Sequence, residues 1–240
     1  MSEDPAEQPP GPEPAAPGKG SLQGALPLIL SGGFVLTIVG LAVYQLRQWS
    51  GVAFGIGVAQ IALYLLWLAV EGKVAAGEVD QKETRRDKGT LEVYAAGRFL
   101  TVAAALGLPS YSLAQHLPGL PALFLPALGL TIYVLGVGFR LWAIRTLGRF
   151  YSHRVRQQEE HQVVSSGPYT LLRHPAYTGM LSAHLGFLLV FFNPWAALLL
   201  FGLFAPAVCW RIKVEEEMLM GIPGWPEFAA TRKRLIPLVW

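Results

Sequence analysis

One cysteine in 240 residues, Cys209, excludes an internal disulfide and any zinc site built from cysteines. It stands inside an apolar run, where a thiol is expected to be buried and inert. Charge is also scarce: 15% of the residues are Asp, Glu, Lys or Arg, against about a quarter in soluble domains. The pI of about 9.1 corresponds to a formal excess of only +3, and the basic residues fall between apolar runs. That is the pattern of loop charge in a membrane protein rather than of a nucleic-acid footprint. The region before the first apolar run is acidic, which is unlike a secretory signal. Gly55-Ile56-Gly57 and Gly136-Val137-Gly138 lie inside apolar stretches with no preceding strand, so neither is a dinucleotide-binding turn. No internal repeat is apparent.

What the chain does have is apolar length: 52% hydrophobic residues and a mean hydropathy of +0.40. The fold class expected is an all-α integral membrane protein with about six transmembrane helices. Residues 1–24, rich in Pro, Glu, Ala and Gly, read as a disordered tail. Four spans are expected within residues 25–147, at about 26–46, 52–71, 92–114 and 120–147, the last projecting beyond the bilayer. Residues 148–240 form the third region, in which two shorter helices, about 175–192 and 195–211, make a hairpin turning at Asn193-Pro194. Gly51, Gly55 and Ala59 at helical spacing predict a close approach of the second helix to a neighbour. His184, inside the hairpin, fits an interhelical hydrogen bond better than a proton relay.

Lys and Arg concentrate in residues 72–90, 148–174 and 212–240, while the alternate connections hold little beyond Arg47. That asymmetry places both termini, and the polar residues near them, on the cytoplasmic side.

The polar residues gather in three pieces. Gly148 to Val164 includes His153, Arg154, Val155, Glu159, Glu160, His161 and Val163. Ser166 to Gly179 contains a Gly167-Pro168 break, Tyr169, then Arg173-His174 before Pro175, a residue favoured in a helix's first turn. The Arg-His pair thus stands at a helix mouth, where free N–H groups and the positive dipole end suit an anion. Arg211 to Leu219 carries Glu215-Glu216-Glu217 just past the hairpin. Because the hairpin returns to the face it left, Arg173, His174 and Tyr177 are expected to meet Glu215 and Glu216. Taken singly, juxtamembrane arginines are headgroup anchors, a glutamate triplet is a solvated face, and Tyr151 and Trp225 fit an aromatic belt.

Jointly the pieces resemble the isoprenylcysteine carboxyl methyltransferase family, and more broadly the phospholipid methyltransferases. The residues that carry the likeness are His153-Arg154-Val155, His161 with Val163-Val164, Ser166-Gly167-Pro168-Tyr169, Arg173-His174-Pro175-Ala176-Tyr177-Thr178-Gly179 with Gly186, and Arg211 with Glu215-Glu216 and Leu219. The resemblance covers residues 148–240. It implies S-adenosylmethionine as cofactor and a lipophilic or prenylated substrate drawn from the membrane. It also implies pocket residues His153, Val155, His161, Val163, Gly167, Tyr169, His174, Tyr177, Glu215 and Glu216, with Gly179 allowing close backbone approach. Counted back from Pro237, the family's substrate-side arginine falls on Thr231, so Arg232 and Arg234 are the candidates to replace it.

Methyl transfer from a sulfonium needs alignment above all. A carboxylate acceptor needs no base, only a cation such as Arg173 with Arg232 or Arg234 and a dry site. An amine acceptor would need a base such as Glu216. The residue types leave phospholipid amines, alkylphenols and thiols open as acceptors, and a non-enzymatic transporter or assembly factor as the other class. The lipid is expected to enter between the fourth helix and the hairpin.

Overall fold

The computed structural model describes residues 20–76, 88–111, 119–148, 151, 163–236 and 240. Its internal contacts divide the chain at Leu36–Thr37, and all packing described below lies within the unit from Thr37 on. Every regular element among the described residues is helical: α1 (Gly20–Leu46), α2 (Gly51–Ala76), α3 (Thr90–Gly107), α4 (Phe124–Leu147), α5 (Pro175–Val190), α6 (Pro194–Leu219) and α7 (Trp225–Thr231). Three of these contain stretches long and apolar enough to cross a membrane: Gly51–Lys73, Phe124–Leu147 and Pro194–Leu219. Gly32–Leu46 and Pro175–Val190 are apolar but shorter. The third expected span is narrower than its apolar run, since α3 ends at Gly107, before Pro109. The fourth starts at Phe124.

The expected turn at Asn193-Pro194 forms, and its chemistry is that of an N-cap. Asn193 Oδ1 accepts from the N–H groups of Trp195 (2.8 Å) and Ala196 (3.4 Å), while its Nδ2 donates to the Pro109 carbonyl at 2.7 Å. Asn193 therefore caps α6 and pins the end of α3 at once. Asn193→Ala is expected to destabilise the protein by about 1–2 kcal/mol. An unchanged midpoint in thermal unfolding would show that the cap carries no weight.

The two arms of the hairpin take different main partners. α5 lies along α4, and α6 lies along α3. α6 is longer than expected and runs through Leu219, so Glu215 and Glu216 stand on the helix rather than after it. A π-helical turn at Leu200–Phe204 interrupts it. There the Phe204 backbone lies against Gly97 of α3, and its ring packs 4.8 Å from the His184 ring and 5.4 Å from that of Tyr94.

The α4–α5 seam is made by glycines seven residues apart on each helix. A Cβ at Gly179 would fall 2.6 Å from the Gly136 carbonyl and 2.6 Å from the Arg140 nitrogen. A Cβ at Gly129 would fall 2.7 Å from the Gly186 carbonyl. Backbone thus packs on backbone along the seam, which is how helices gain dispersion energy where lipid supplies no hydrophobic drive. Two expectations are corrected here. A Cβ at Gly51 or Gly55 would meet no neighbouring element within 4 Å, so neither marks a close helix contact. And the lipid entry expected beside the fourth helix does not lie at the α4–α5 seam, where this contact leaves no gap.

His184 is corrected as well. Its Nδ1 sits 2.8 Å from the Met180 carbonyl of its own helix, not of another. A carbonyl only accepts, so Nδ1 carries the proton and Nε2 presents a lone pair.

Candidate functional site

α5 begins where the Gly167–Thr170 3-10 turn delivers the chain, and Gly167 takes a φ of 56° that only glycine adopts without strain. Beneath this turn Tyr169, Ala176, Leu219, Trp225, Phe228 and Ala229 form a small core, with Val163 and Tyr151 packed against it. Trp225 is buried there, 5.3 Å from the Phe228 ring and 6.2 Å from that of His174, rather than facing a lipid interface. Burial, aided by the nearby Glu215 charge, pushes the Tyr169 phenol well above its ordinary pKa and keeps its proton on.

Above this core the expected meeting takes place. Glu216 Oε1 accepts from Arg173 Nη1 at 3.2 Å and lies 3.1 Å from His174 Nε2. Glu216 Oε2 accepts from Arg234 Nε at 2.8 Å and Nη2 at 2.7 Å. Because a carboxylate accepts only, His174 carries its proton on Nε2 in this arrangement. One helical turn along α5, Tyr177 donates to Glu215 Oε2 at 3.0 Å and accepts from Arg211 Nε at 2.9 Å. Arg211 Nη1 reaches on to Thr90 Oγ1 at the start of α3, 3.1 Å away.

The helix mouth is not open in the way its sequence suggests. The N–H groups of Arg173 and His174 donate to the carbonyls of Lys233 (2.8 Å) and Arg234 (3.0 Å), and Thr178 Oγ1 donates to that of Leu235 at 2.8 Å. Arg173 adds Nε to the Arg232 carbonyl at 2.8 Å and Nη2 to that of Ala229. Residues 232–235 therefore lie across the mouth as a strap. The anion the mouth attracts is the protein's own Glu216 carboxylate.

The strap also separates two candidates that the sequence leaves equivalent. Arg234 points to Glu216, whereas the Arg232 guanidinium lies 4.4 Å from the centre of the Phe228 ring and donates to Thr231. Gly167, Tyr169, Arg173, His174, Tyr177, Gly179, Glu215, Glu216 and Arg234 are thus gathered around the first turns of α5 and the last turns of α6. Val163 contributes to the small core. His153, Val155 and His161 lie outside the described residues.

Sequence reasoning missed a second charged group. Glu71 of α2 pairs with Arg140 of α4 and, at 3.1 Å, with Arg98 of α3. Arg140 also donates to the Ala176 carbonyl in the first turn of α5 (3.1 Å) and to the Tyr151 hydroxyl (3.0 Å). Glu71 and Arg140 are 5% and 2% exposed, so this pairing ties the helix bundle to the base of the site. The signal was present in the sequence as charges inside apolar runs, where burial is tolerated only with partners.

Residues 127–221 match the family model described as "Isoprenylcysteine carboxyl methyltransferase (ICMT) family". The likeness to that family is carried by this stretch. The match spans α4, α5 and α6, hence the glycine seam, Arg173 to Gly179 and the paired glutamates, while the strap lies beyond it. Among relatives, "Protein-S-isoprenylcysteine O-methyltransferase B" of Arabidopsis thaliana is 38% identical over 89 residues, 36% of this chain and 43% of that protein. "Protein-S-isoprenylcysteine O-methyltransferase" of Saccharomyces cerevisiae is 33% identical over 113 residues, 46% of this chain and 44% of its own. The protein of the same name from Tribolium castaneum is 32% identical over 118 residues, 45% of this chain and 39% of its own. The chain therefore spans less than half the length of these curated isoprenylcysteine methyltransferase relatives.

Proposed function

We propose that this chain is a membrane-embedded, S-adenosylmethionine-dependent carboxyl O-methyltransferase acting on a lipophilic acceptor of the isoprenylcysteine kind. The observation that carries the proposal is the junction of Arg173, His174 and Tyr177 with Glu215 and Glu216, inside the stretch that matches the family model.

The residues fit the cofactor's chemistry. Its ammonium and sulfonium centres call for carboxylate and aromatic surroundings, which Glu215, Tyr177 and Trp225 provide. The buried Trp225 Nε1 has no hydrogen-bond partner among the described residues and stands beside His174, as a donor reserved for a ligand acceptor would. Gly179, expected at the pocket, instead serves the α4–α5 seam, where it packs on the backbone of Gly136 and Arg140. When bound, S-adenosylmethionine supplies an electrophilic methyl group that an ionised carboxylate oxygen accepts without losing a proton. The chain's part is then to hold, align and dry the two reactants. Arg173, His174 and Arg234 fix Glu216, and through the strap they fix the wall of the pocket. Glu215 stays partly exposed and is held by one hydroxyl, so it remains available to a cation.

In this reading residues 148–240 are the catalytic region, six helices cross the bilayer, and both termini and the site face the cytoplasm, as the Lys and Arg asymmetry requires. His153, Val155 and His161 complete the pocket.

Radiolabelled S-adenosylmethionine is expected to bind the purified protein and to be displaced by the demethylated product. His174→Ala should weaken binding by about tenfold or more, the cost of losing one charge-assisted contact. A wild-type protein that binds no S-adenosylmethionine would remove this reading.

A further inference from the structure

The stretch that matches the family model, residues 127–221, contains an arginine whose counter-charge comes from outside it. Arg140 of α4 pairs through Nε with Glu71 of α2, and Arg98 of α3 holds the other Glu71 oxygen at 3.1 Å. Both α2 and α3 precede the matched stretch. Glu71 and Arg140 are buried. Buried ion pairs contribute little net stability, because desolvation offsets the attraction and well-packed apolar groups do as well or better. The approach of α4 to α5 is already set by the glycine seam, with backbone on backbone at Gly136 and Gly179. A charge pair at this depth therefore calls for a role that apolar packing cannot fill.

The rest of the Arg140 guanidinium shows where that role lies. Nη1 donates to the Ala176 carbonyl at 3.1 Å, and Nη2 donates to the Tyr151 hydroxyl at 3.0 Å. Ala176 stands two residues after His174, in the turn of α5 that presents Tyr177 to Glu215. Tyr151 packs against the small core that contains Tyr169 and Trp225, and the Trp225 ring lies 6.2 Å from that of His174. Ala143 and Ile144, one turn further along α4 than Arg140, belong to the same core. One side chain thus touches the backbone of the helix mouth and the phenol that packs beneath it. A guanidinium presents its N–H groups in fixed directions, so anchoring Nε on Glu71 aims the other two nitrogens. With Arg98 on its second oxygen, the Glu71 carboxylate is itself held from two sides.

We propose that Arg140 is a positioning residue for the S-adenosylmethionine site: Glu71 orients its guanidinium, which fixes the Tyr151 phenol against the first turn of α5. The assignment rests on the methyltransferase reading above and deepens it. It makes α2 a working part of the site, through one carboxylate, rather than a membrane anchor alone. Arg140 and Glu71 act on the bound cofactor only through Tyr151 and the Ala176 carbonyl.

The test is a double-mutant cycle, read by calorimetry of S-adenosylmethionine binding to the full chain in detergent micelles. Tyr151→Phe removes the hydroxyl that Arg140 holds and leaves the ion pair in place. It should weaken binding by about three- to tenfold, the range of one hydrogen bond. Arg140→Lys keeps a charge for Glu71 but loses the fork, and should weaken binding by about tenfold. The two losses should not multiply: with both changes present, affinity should stay within about twofold of Arg140→Lys alone. Glu71→Gln reaches the same device from α2, should show the same dependence on Tyr151, and takes the place of Arg140→Lys if that variant fails to fold. Wild-type affinity in Tyr151→Phe overturns the proposal. So do losses that multiply, which is what an Arg140 that merely stabilises the bundle would give. A wild-type protein that binds no S-adenosylmethionine removes the methyltransferase reading and this proposal together, whereas multiplying losses in a protein that does bind it remove the proposal alone.

Discussion

Glu216→Gln is expected to free the strap and to lower S-adenosylmethionine binding by about 100-fold or more, making it the most damaging conservative change at the site. One carboxylate balances Arg173, Arg234 and, across 3.1 Å, His174 Nε2. Removing the acid from such a buried group leaves cations without a counter-charge, which costs about 3–5 kcal/mol when a buried pair is broken. The discount for exposure is modest on the Arg173 side and larger on the Arg234 side, whose side chains are 18% and 33% exposed. Local loosening should come before global unfolding, because the strap is otherwise tied by a few hydrogen bonds to its carbonyls, from the Arg173 and His174 backbone and from the Arg173 and Thr178 side chains. Trypsin reads this directly, since Arg232, Lys233 and Arg234 are all cleavage points within the strap. Cleavage there should accelerate in Glu216→Gln at a temperature where the helices remain intact. Wild-type cleavage rates in that variant would mean that the ion cluster does not hold the strap.

The second large effect concerns one added methyl group. Gly179→Ala places a Cβ within 2.6 Å of backbone atoms of Gly136 and Arg140, and backbone cannot swing aside as a side-chain tip can. Overpacking of this kind costs about 1–3 kcal/mol or more. It should also separate α4 from α5 and so disturb the Arg140 bond to the Ala176 carbonyl. Gly138→Ala, on the facing helix α4, is the matched control. Nothing lies within 4 Å of its Cβ position, and alanine there should be neutral or stabilising by up to about 1 kcal/mol through helix propensity. Thermal unfolding followed by tryptophan fluorescence separates the two. Equal melting of both variants would dismiss the seam as the element that sets the helix spacing.

These glycines show where the sequence is legible and where it is not. Apolar length and loop charge announce the helices, and the Asn193-Pro194 turn is readable because a cap is a local device. The junction of Arg173, His174 and Tyr177 with Glu215 and Glu216 is also readable, since a chain that turns back at Asn193 brings its own ends together. Helix partnership is not. Gly51 and Gly55, four residues apart, offer as good a small-residue face as the seam glycines seven apart, and only the packed structure shows that α4 and α5 are the pair in contact. The strap is hidden for a related reason. Its bonds are backbone carbonyls, which every residue carries, so no side-chain pattern marks Lys233 to Leu235 as the cover of a helix mouth. Arg98 and Arg140 were visible as charges in apolar runs, but their shared partner, Glu71, comes from a third helix.

The length of α6 has a further consequence. From the Asn193 cap to Leu219 the helix is 26 residues long, or ~39 Å at 1.5 Å per residue, while a bilayer's hydrocarbon core is ~30 Å thick. The same rod that crosses the lipid carries Glu215 and Glu216 in its last turns. It acts as a ruler: hydrocarbon thickness, measured up from the cap, sets the height at which these carboxylates emerge. A thicker membrane would draw them toward the lipid, and a thinner one would lift them into water. Bilayer thickness thus becomes a variable of the chemistry, and lipids of graded acyl length are a way to read it.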